Sequence, residues 1–400
     1  MIRAVLLLAC MCASFHSGAV RAQEARLEAT GAGLSGDWLG RKTLTLPLTQ
    51  GVPYRVFMLD APKRLVIDLR DVDAQAFSPD AFLTPRGPIN GVRMGQFMPG
   101  WTRFIADLTQ PVVPDEVSMR IDASSGAAVL QMSLVRASDS EFGEHAGPPP
   151  GVFGENVAAR EFAVPDEDRF VVVIDPGHGG VDPGALRGDV SEKELVLTLA
   201  LKMAERLKSS GVTDVYLTRE TDVFVALDAR VDLAQALQAD LFLSLHADAL
   251  REGGAEGATI YTLAAEASDA ATAQLAARHN RADILAGADL TGQEDTVARV
   301  LLDLARHETQ PRSDALARAI VTEMGNAGVP MNRHPLREAG FAVLKSADIP
   351  SVLVEVGFLS SPRDLANVQD PIWQAMAVEG LVASVMRWRQ SDERRAALSR

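Results

Sequence analysis

Hydrophobic patterning divides the chain into three parts. As far as about residue 135, short stretches alternate apolar with polar positions and are separated by turn residues. The stretch 54–59 alternates in part, and 64–69 alternates better after the turn at Ala61-Pro62-Lys63. Stretches 92–97, 102–108 and 128–134 add three more. Strands this short with turns between them predict a small all-β sandwich over residues 26–135. Residues 136–167 follow no period, and Gly147-Pro148-Pro149-Pro150-Gly151 can continue neither a helix nor a central strand, so they read as a linker.

From Arg169 the period changes. Residues 171–174 form an unbroken apolar run, the pattern of a buried strand. Ser191 and Glu194 make a capping box ahead of Leu195, Leu199, Met203 and Leu207, which recur on one helical face. Strands are predicted at 214–218, 240–245, 258–263, 341–344 and 351–356, and helices at 227–238 and 372–388. This alternation predicts an α/β domain over 168–390, a mainly parallel sheet covered by helices on both faces, with a polar tail at 391–400. An insertion at 264–324, rich in Ala, Asp, Glu and Arg, carries helix-like stretches at 270–278, 296–307 and 313–324, with a Gly- and Asp-bearing loop at 287–295. An excursion of that length inside a compact domain is a functional or mobile element. Its stripe Val297, Val300, Leu301 and Leu304 either packs into a core or docks a partner.

Composition adds the compartment. Arg3, the apolar run 4–15 and the small-residue site Val20-Arg21-Ala22 predict a secretory signal at residues 1–22, and Leu8-Ala9-Cys10 is a weak lipoprotein-like signal. No later stretch is long and apolar enough to span a bilayer. Both cysteines, Cys10 and Cys12, lie in the expected signal, so the exported chain must be held by packed cores rather than disulfides. Without Arg3 and Arg21 it has 37 basic and 53 acidic residues, a balance of −16 that argues against nucleic-acid binding.

The chemistry gathers at strand ends. His178 lies in the turn Asp175-Pro176-Gly177-His178-Gly179-Gly180 after the first buried strand. Glu192 opens the capped helix, and His246 follows the strand 240–245. In an open parallel sheet, residues just past strand ends converge on one edge. Two imidazoles and a carboxylate suit a catalytic zinc with one open position, although spacing alone leaves a structural role for each residue open. Asp175 and Asp248 flank these positions and either orient the imidazoles or cap turns. Arg219 and Arg230 read as ion-pair residues, Lys345 has an open role, and His145, His307 and His334 read as surface or packing histidines.

The motifs Asp175–Gly180, Glu192-Lys193, Ser244-Leu245-His246-Ala247-Asp248 and Val354-Glu355-Val356-Gly357-Phe358-Leu359-Ser360 resemble, in order, the four signatures of zinc-dependent N-acetylmuramoyl-L-alanine amidases. That resemblance implies that His178, Glu192 and His246 hold Zn2+ and that Glu355 is the catalytic carboxylate. It implies hydrolysis of the amide between N-acetylmuramic acid and L-alanine in peptidoglycan, for septal splitting in the periplasm. Zinc would polarise the carbonyl and lower a water's pKa towards ~7. The strand 64–69 and its place before the amidase-like part resemble the AMIN domain, implying peptidoglycan binding and localisation. Relatives with an insertion here carry a helix that covers zinc with a glutamate and is drawn away by a LytM-type activator. Around His279-Asn280-Arg281-Ala282-Asp283, where they tend to read Glu-Asn-x-Ala-Asp, this chain has His279 as the possible inhibitory ligand. If His279 plugs the site, acidification should loosen it by protonating the ring. Glu266, Glu294 and Glu308 are alternative plugs. Two other readings compete: a non-catalytic wall-binding scaffold, disfavoured by the complete set of four residues, and a zinc peptidase cutting within stem peptides.

Overall fold

The computed structural model describes residues 24–147, 169–249, 255–280 and 296–398, apart from 37–40, 61, 86, 99, 123, 212 and 347. Over 296–308 it describes the backbone alone. The expected signal at 1–22, the linker from 148 and the loop 287–295 lie outside these residues.

The N-terminal part is built from β1 (Ala25–Arg26), β2 (Gly33–Gly36), β3 (Lys42–Leu48), β4 (Tyr54–Leu59), β5 (Arg64–Arg70), β6 (Val72–Asp73), β7 (Ile89–Met98), β8 (Trp101–Leu108), β9 (Val112–Ile121) and β10 (Ala128–Arg136). Two four-stranded antiparallel sheets, ordered β2-β3-β10-β9 and β4-β5-β8-β7, pack face to face. Leu44, Leu46, Leu130 and Met132 of one sheet and Leu65, Ile67, Leu69 and Phe104 of the other fill the core between them. The alternation seen in the sequence supplies this inner face. The opposite face of β5 is covered too, which alternation alone does not predict: Arg64, Val66 and Asp68 are buried. The stretch expected as linker opens with helix α1 (Asp139–His145). Ser138 and Glu141 form a capping box there, and Phe142 is buried in the sandwich core.

The C-terminal part comprises β11 (Phe170–Pro176), the small hairpin β12 (Leu186–Arg187) and β13 (Val190–Ser191), α2 (Glu192–Ser209), β14 (Thr213–Leu217), α3 (Leu227–Ala236), β15 (Leu241–His246), β16 (Ala258–Leu263), α4 (Ala270–His279), α5 (Thr296–Asn326), β17 (Met331–Ala339), β18 (Ser351–Glu355), α6 (Pro362–Gln369) and α7 (Pro371–Leu398). Its six-stranded sheet runs β14-β11-β15-β18-β16-β17. Every neighbouring pair is parallel except β16 with β18. Val172, Ile174, Leu243, Val352 and Val354 face a core shared with α2, α5 and α7, while Val171, Val173, Phe242 and Leu353 face a second core under α3 and α4. Burial on both faces explains the unbroken apolar runs. Trp388 closes the larger core at 1% exposure and donates its indole N–H to Arg312 O at 3.0 Å. Truncating a side chain of that size to Ala typically costs about 3–5 kcal/mol.

Four local expectations are corrected. Residues 342–344 form a 3-10 turn rather than a strand, with Val343 and Leu344 tucked into the second core. The capping box at Ser191 is absent, because its hydroxyl donates to Pro183 O at 3.3 Å. The separate helices expected across Pro311 are the single α5, since one proline removes only one ladder bond. The polar tail continues α7 to Leu398, held by Arg312–Asp392 and Arg389–Glu393 pairs. The edge strand β17 has no apolar pattern and was not expected. Among the described residues no helix is long and apolar enough to cross a membrane.

Candidate metal centre

Three strand ends and one helix start meet at the C-terminal edge of the parallel strands. His246, the last residue of β15, lies directly across the ladder from Glu355, the last residue of β18. His178 lies two residues beyond β11, and Glu192 is the first residue of α2. Glu192 Oε1 sits 3.1 Å from both His178 Nε2 and His246 Nδ1. Two backbone amides fix that carboxylate: Ala247 N–H donates to Oε1 at 2.9 Å and Ala185 N–H to Oε2 at 2.8 Å. The four residues named from motif order thus share one buried spot.

The loop between β11 and α2 is shaped for this. His178 has φ 59°, a conformation that non-glycine residues adopt at a cost of about 1–3 kcal/mol and that concentrates at functional sites. A Cβ at Gly177 would fall 2.1 Å from His246 Cε1, so only glycine lets the ring approach. Asp182, which the sequence reading did not single out, lies with Oδ2 2.8 Å from His178 Nδ1 and directs Nε2 inward. Its one signal was its place four residues after the histidine in a turn-rich loop. Asp175 does not touch either imidazole. It accepts from Thr218 Oγ1 at 2.6 Å, Ser244 Oγ at 2.7 Å and Arg230 Nη1 at 2.6 Å. Arg230 also donates to Pro176 O and His178 O. Among the described residues Arg219 hydrogen-bonds backbone rather than a carboxylate, donating to the carbonyls of Pro176, Gly177, Thr221 and Lys193. These two guanidiniums brace the loop from beneath.

The insertion closes the site from above. His279, the last residue of α4, is 6% exposed. Its Nε2 lies 3.4 Å from Glu355 Oε1 and 3.5 Å from Asp248 Oδ2, and its ring centroid is 4.3 Å from that of His246. Nitrogens of His178, His246 and His279 lie within 4.8 Å of one another. Neighbours tether this helix end: Asn280 Nδ2 donates to Gly340 O at 2.7 Å, its Oδ1 accepts from Ala342 N–H at 2.6 Å, and Arg278 Nη1 donates to Ala249 O at 2.7 Å. The cavity left among His178, His246 and His279 is about 20 Å³, room for a single water. Glu266 and Lys345 are exposed. Glu294, with the side chains of Glu308, His307, Val297, Val300, Leu301 and Leu304, lies outside the described residues. His145 and His334 are exposed.

Charge and burial compete here. Burial pushes His178 down, but the Glu192 and Asp182 carboxylates outweigh it and hold the ring well above its ordinary value. Burial and the neighbouring His279 charge take His246 down to about 4. Burial also opposes the charge on His279, yet Asp248 and Glu355 lift it to about 9. Burial raises the Glu355 carboxyl to about 7, near the value at which a carboxylate exchanges protons with water at neutral pH. Among the described residues His178 Nε2, His279 Nε2 and Glu355 Oε1 are buried without a hydrogen-bond partner. Ligand atoms gather in two groups that share His279, namely His178/His246/His279 and Asp248/His279/Glu355, each within 4.8 Å, and buried polar atoms left unpartnered there fit a divalent ion because such groups otherwise find partners. The His/Glu cluster is consistent with a metal site.

Residues 172–387 match the family of N-acetylmuramoyl-L-alanine amidases, and residues 38–130 match the AMIN domain. Over 374 residues the chain is 30% identical to N-acetylmuramoyl-L-alanine amidase AmiC of Neisseria meningitidis serogroup B, covering 86% of each. It is 29% identical to AmiC of Escherichia coli, covering 86% of this chain and 85% of that one. With AmiA of Escherichia coli it shares 39% identity over 198 residues, 49% of this chain and 68% of the other.

Proposed function

Because this chain belongs to the N-acetylmuramoyl-L-alanine amidase family, we propose that it is a zinc-dependent, self-plugged peptidoglycan amidase of the cell envelope, with His178, Glu192 and His246 as metal ligands and Glu355 as the catalytic carboxylate. The single observation that supports this most is Glu192 Oε1 lying 3.1 Å from both imidazoles, with Glu355 across the ladder from His246. Zinc, when bound, would supply Lewis-acid polarisation of the lactyl carbonyl and a more acidic water. Glu355 takes the proton of the attacking water on Oε1, while its Oε2 is held by the Asp248 N–H at 2.9 Å. It then hands the proton to the departing nitrogen as the C–N bond breaks. The products are the muramoyl carboxylate and a stem peptide with a free L-alanine amine. Asp182 and the loop bonds keep His178 facing inward throughout.

The closed cavity supports a resting state in which α4 covers the site and His279 occupies the place where substrate would meet Glu355. Activation then requires α4 to leave, and a LytM-type partner is the proposed agent. Export to the periplasm by the 1–22 segment and septal placement by the AMIN domain complete the proposal.

Digestion of purified sacculi by the full chain and by its His279→Ala variant, with and without chelator, tests it. Expected are intact stem peptides beginning with L-alanine, from the variant above all, and none with chelator. Products cut inside the stem would favour a peptidase, and no release by either protein would favour a scaffold.

A further inference from the structure

We propose that the N-terminal β domain is a clamp on the metal-binding loop, so that the same chain segment expected to localise the enzyme also holds His178 in its ligating conformation. This rests on the zinc reading above. Arg219 and Arg230 fix the carbonyls of residues 176–178 from the α/β side. The next part of the loop is held from the other domain. Gln96 O, on the edge strand β7, accepts from Val181 N–H at 3.2 Å and from Phe224 N–H at 3.4 Å.

The approach is backbone to backbone. A Cβ on Gly95 would lie 2.5 Å from Gly180 O, and one on Gly180 would lie 1.8 Å from Gln96 O. The two glycines face each other across the interface, and a Cβ on either would have to displace the other domain's backbone. Apolar packing surrounds it. Val181 and Phe224 of the α/β domain share one buried cluster with Phe57, Leu59, Val66, Phe97 and Ile105 of the β sheet. The rings of Phe97 and Phe224 stack at 5.6 Å and 14°. Arg103, fully buried, lies 3.4 Å over the Phe97 ring and pairs with Asp68. This explains why the outer face of β5 is covered. A module tied on by a linker alone would keep that face polar and wet.

The contact reaches both ends of the loop. Gly180 lies two residues from His178, its N–H donates to Asp222 Oδ1 at 2.7 Å, and its carbonyl accepts from Lys193 Nζ at 2.8 Å. Lys193 adjoins Glu192 on α2. Moving β7 away would release Val181 N–H and Phe224 N–H and leave the left-handed His178 backbone supported from one side only.

Full-length chain loaded with zinc serves as the test, with Gly95→Ala, Phe97→Ala and Phe224→Ala as variants and Met119→Ala, in the other sheet of the sandwich, as control. The rate of zinc transfer to a chelator is the first readout, and kcat against KM on a soluble muropeptide the second. We expect zinc loss at least tenfold faster in all three variants, with kcat falling more than KM and the control unchanged. The Phe97/Phe224 double variant should be no worse than either single one, since the two rings act as one contact. Circular dichroism identifies any variant that fails to fold, and the remaining two then carry the comparison. Zinc release at the wild-type rate in the folded variants, or equal acceleration in the control, overturns the clamp alone. A wild-type chain that takes up no zinc overturns the reading beneath it as well.

Discussion

Asp182 offers the sharpest handle on the metal centre. Its Oδ2 lies 2.8 Å from His178 Nδ1, while Oδ1 accepts from Gly184 N–H at 3.2 Å. The loop itself does not depend on that side chain: Gly179 and Asp182 exchange two backbone bonds, at 2.9 and 3.0 Å. Asp182→Ala therefore removes the partner that orients the imidazole and leaves the turn closed. Losing such a partner typically lowers metal affinity about 10–100-fold, or roughly 1.4–2.8 kcal/mol. Asp182→Asn keeps the volume and one acceptor oxygen, so its loss should stay under about tenfold. Equilibrium competition for zinc against a chromophoric chelator at pH 7 measures both. An alanine variant within twofold of wild type, or an asparagine variant weaker than alanine, would refute the assignment of Asp182 as the orienting group.

Other outcomes follow from the same geometry. His279→Ala should raise resting hydrolysis of dye-labelled sacculi at least tenfold; an unchanged rate would remove the plug. Glu355→Gln should lower kcat about 10²–10⁴-fold while zinc content, read by metal analysis, stays at wild type. Arg230→Leu strands the buried Asp175 carboxylate with only two hydroxyl donors, and urea unfolding should report a loss of about 3–5 kcal/mol. Arg230 and those donors outweigh burial and hold Asp175 below 3.8 in the folded chain, so its contribution is present above that pH and fades as pH falls through the folded value. The acid limb of the stability profile should therefore shrink in Arg230→Leu, and a superimposable limb would count against the pairing.

Unbroken apolar runs made the central strands readable, because a strand buried on both faces has no polar positions to blur its ends. Two edge strands were not readable. Strand β17 is basic and presents no apolar stripe, and in β9 Pro114, Asp115 and Glu116 interrupt the alternation before Val117 and Met119 resume it. A four-residue apolar run such as 341–344 fits a strand or a turn equally, and only packing beneath α3 and α4 selects the turn. His178, Glu192, His246 and Glu355 could be named because their motifs occur in order. Asp182 and the two glycines at positions 95 and 180 could not, since their meaning arises from contacts made after folding. The burial of β5's outer face stayed hidden for the same reason: alternation marks one buried side, and the second is covered by the neighbouring domain.

Strand β17 ends the six-stranded sheet, where an open rim could recruit a foreign strand. Two of its rim amides are already spoken for: His334 N–H donates to Asn332 Oδ1 at 2.9 Å and Glu338 N–H to Ser268 Oγ at 2.7 Å. Pro335 sits where the register with β16 slips, which bends the rim away from a flat template. The rim of the largest sheet is thereby kept from templating a foreign strand, and Ser268→Ala is the change that would bare the Glu338 amide.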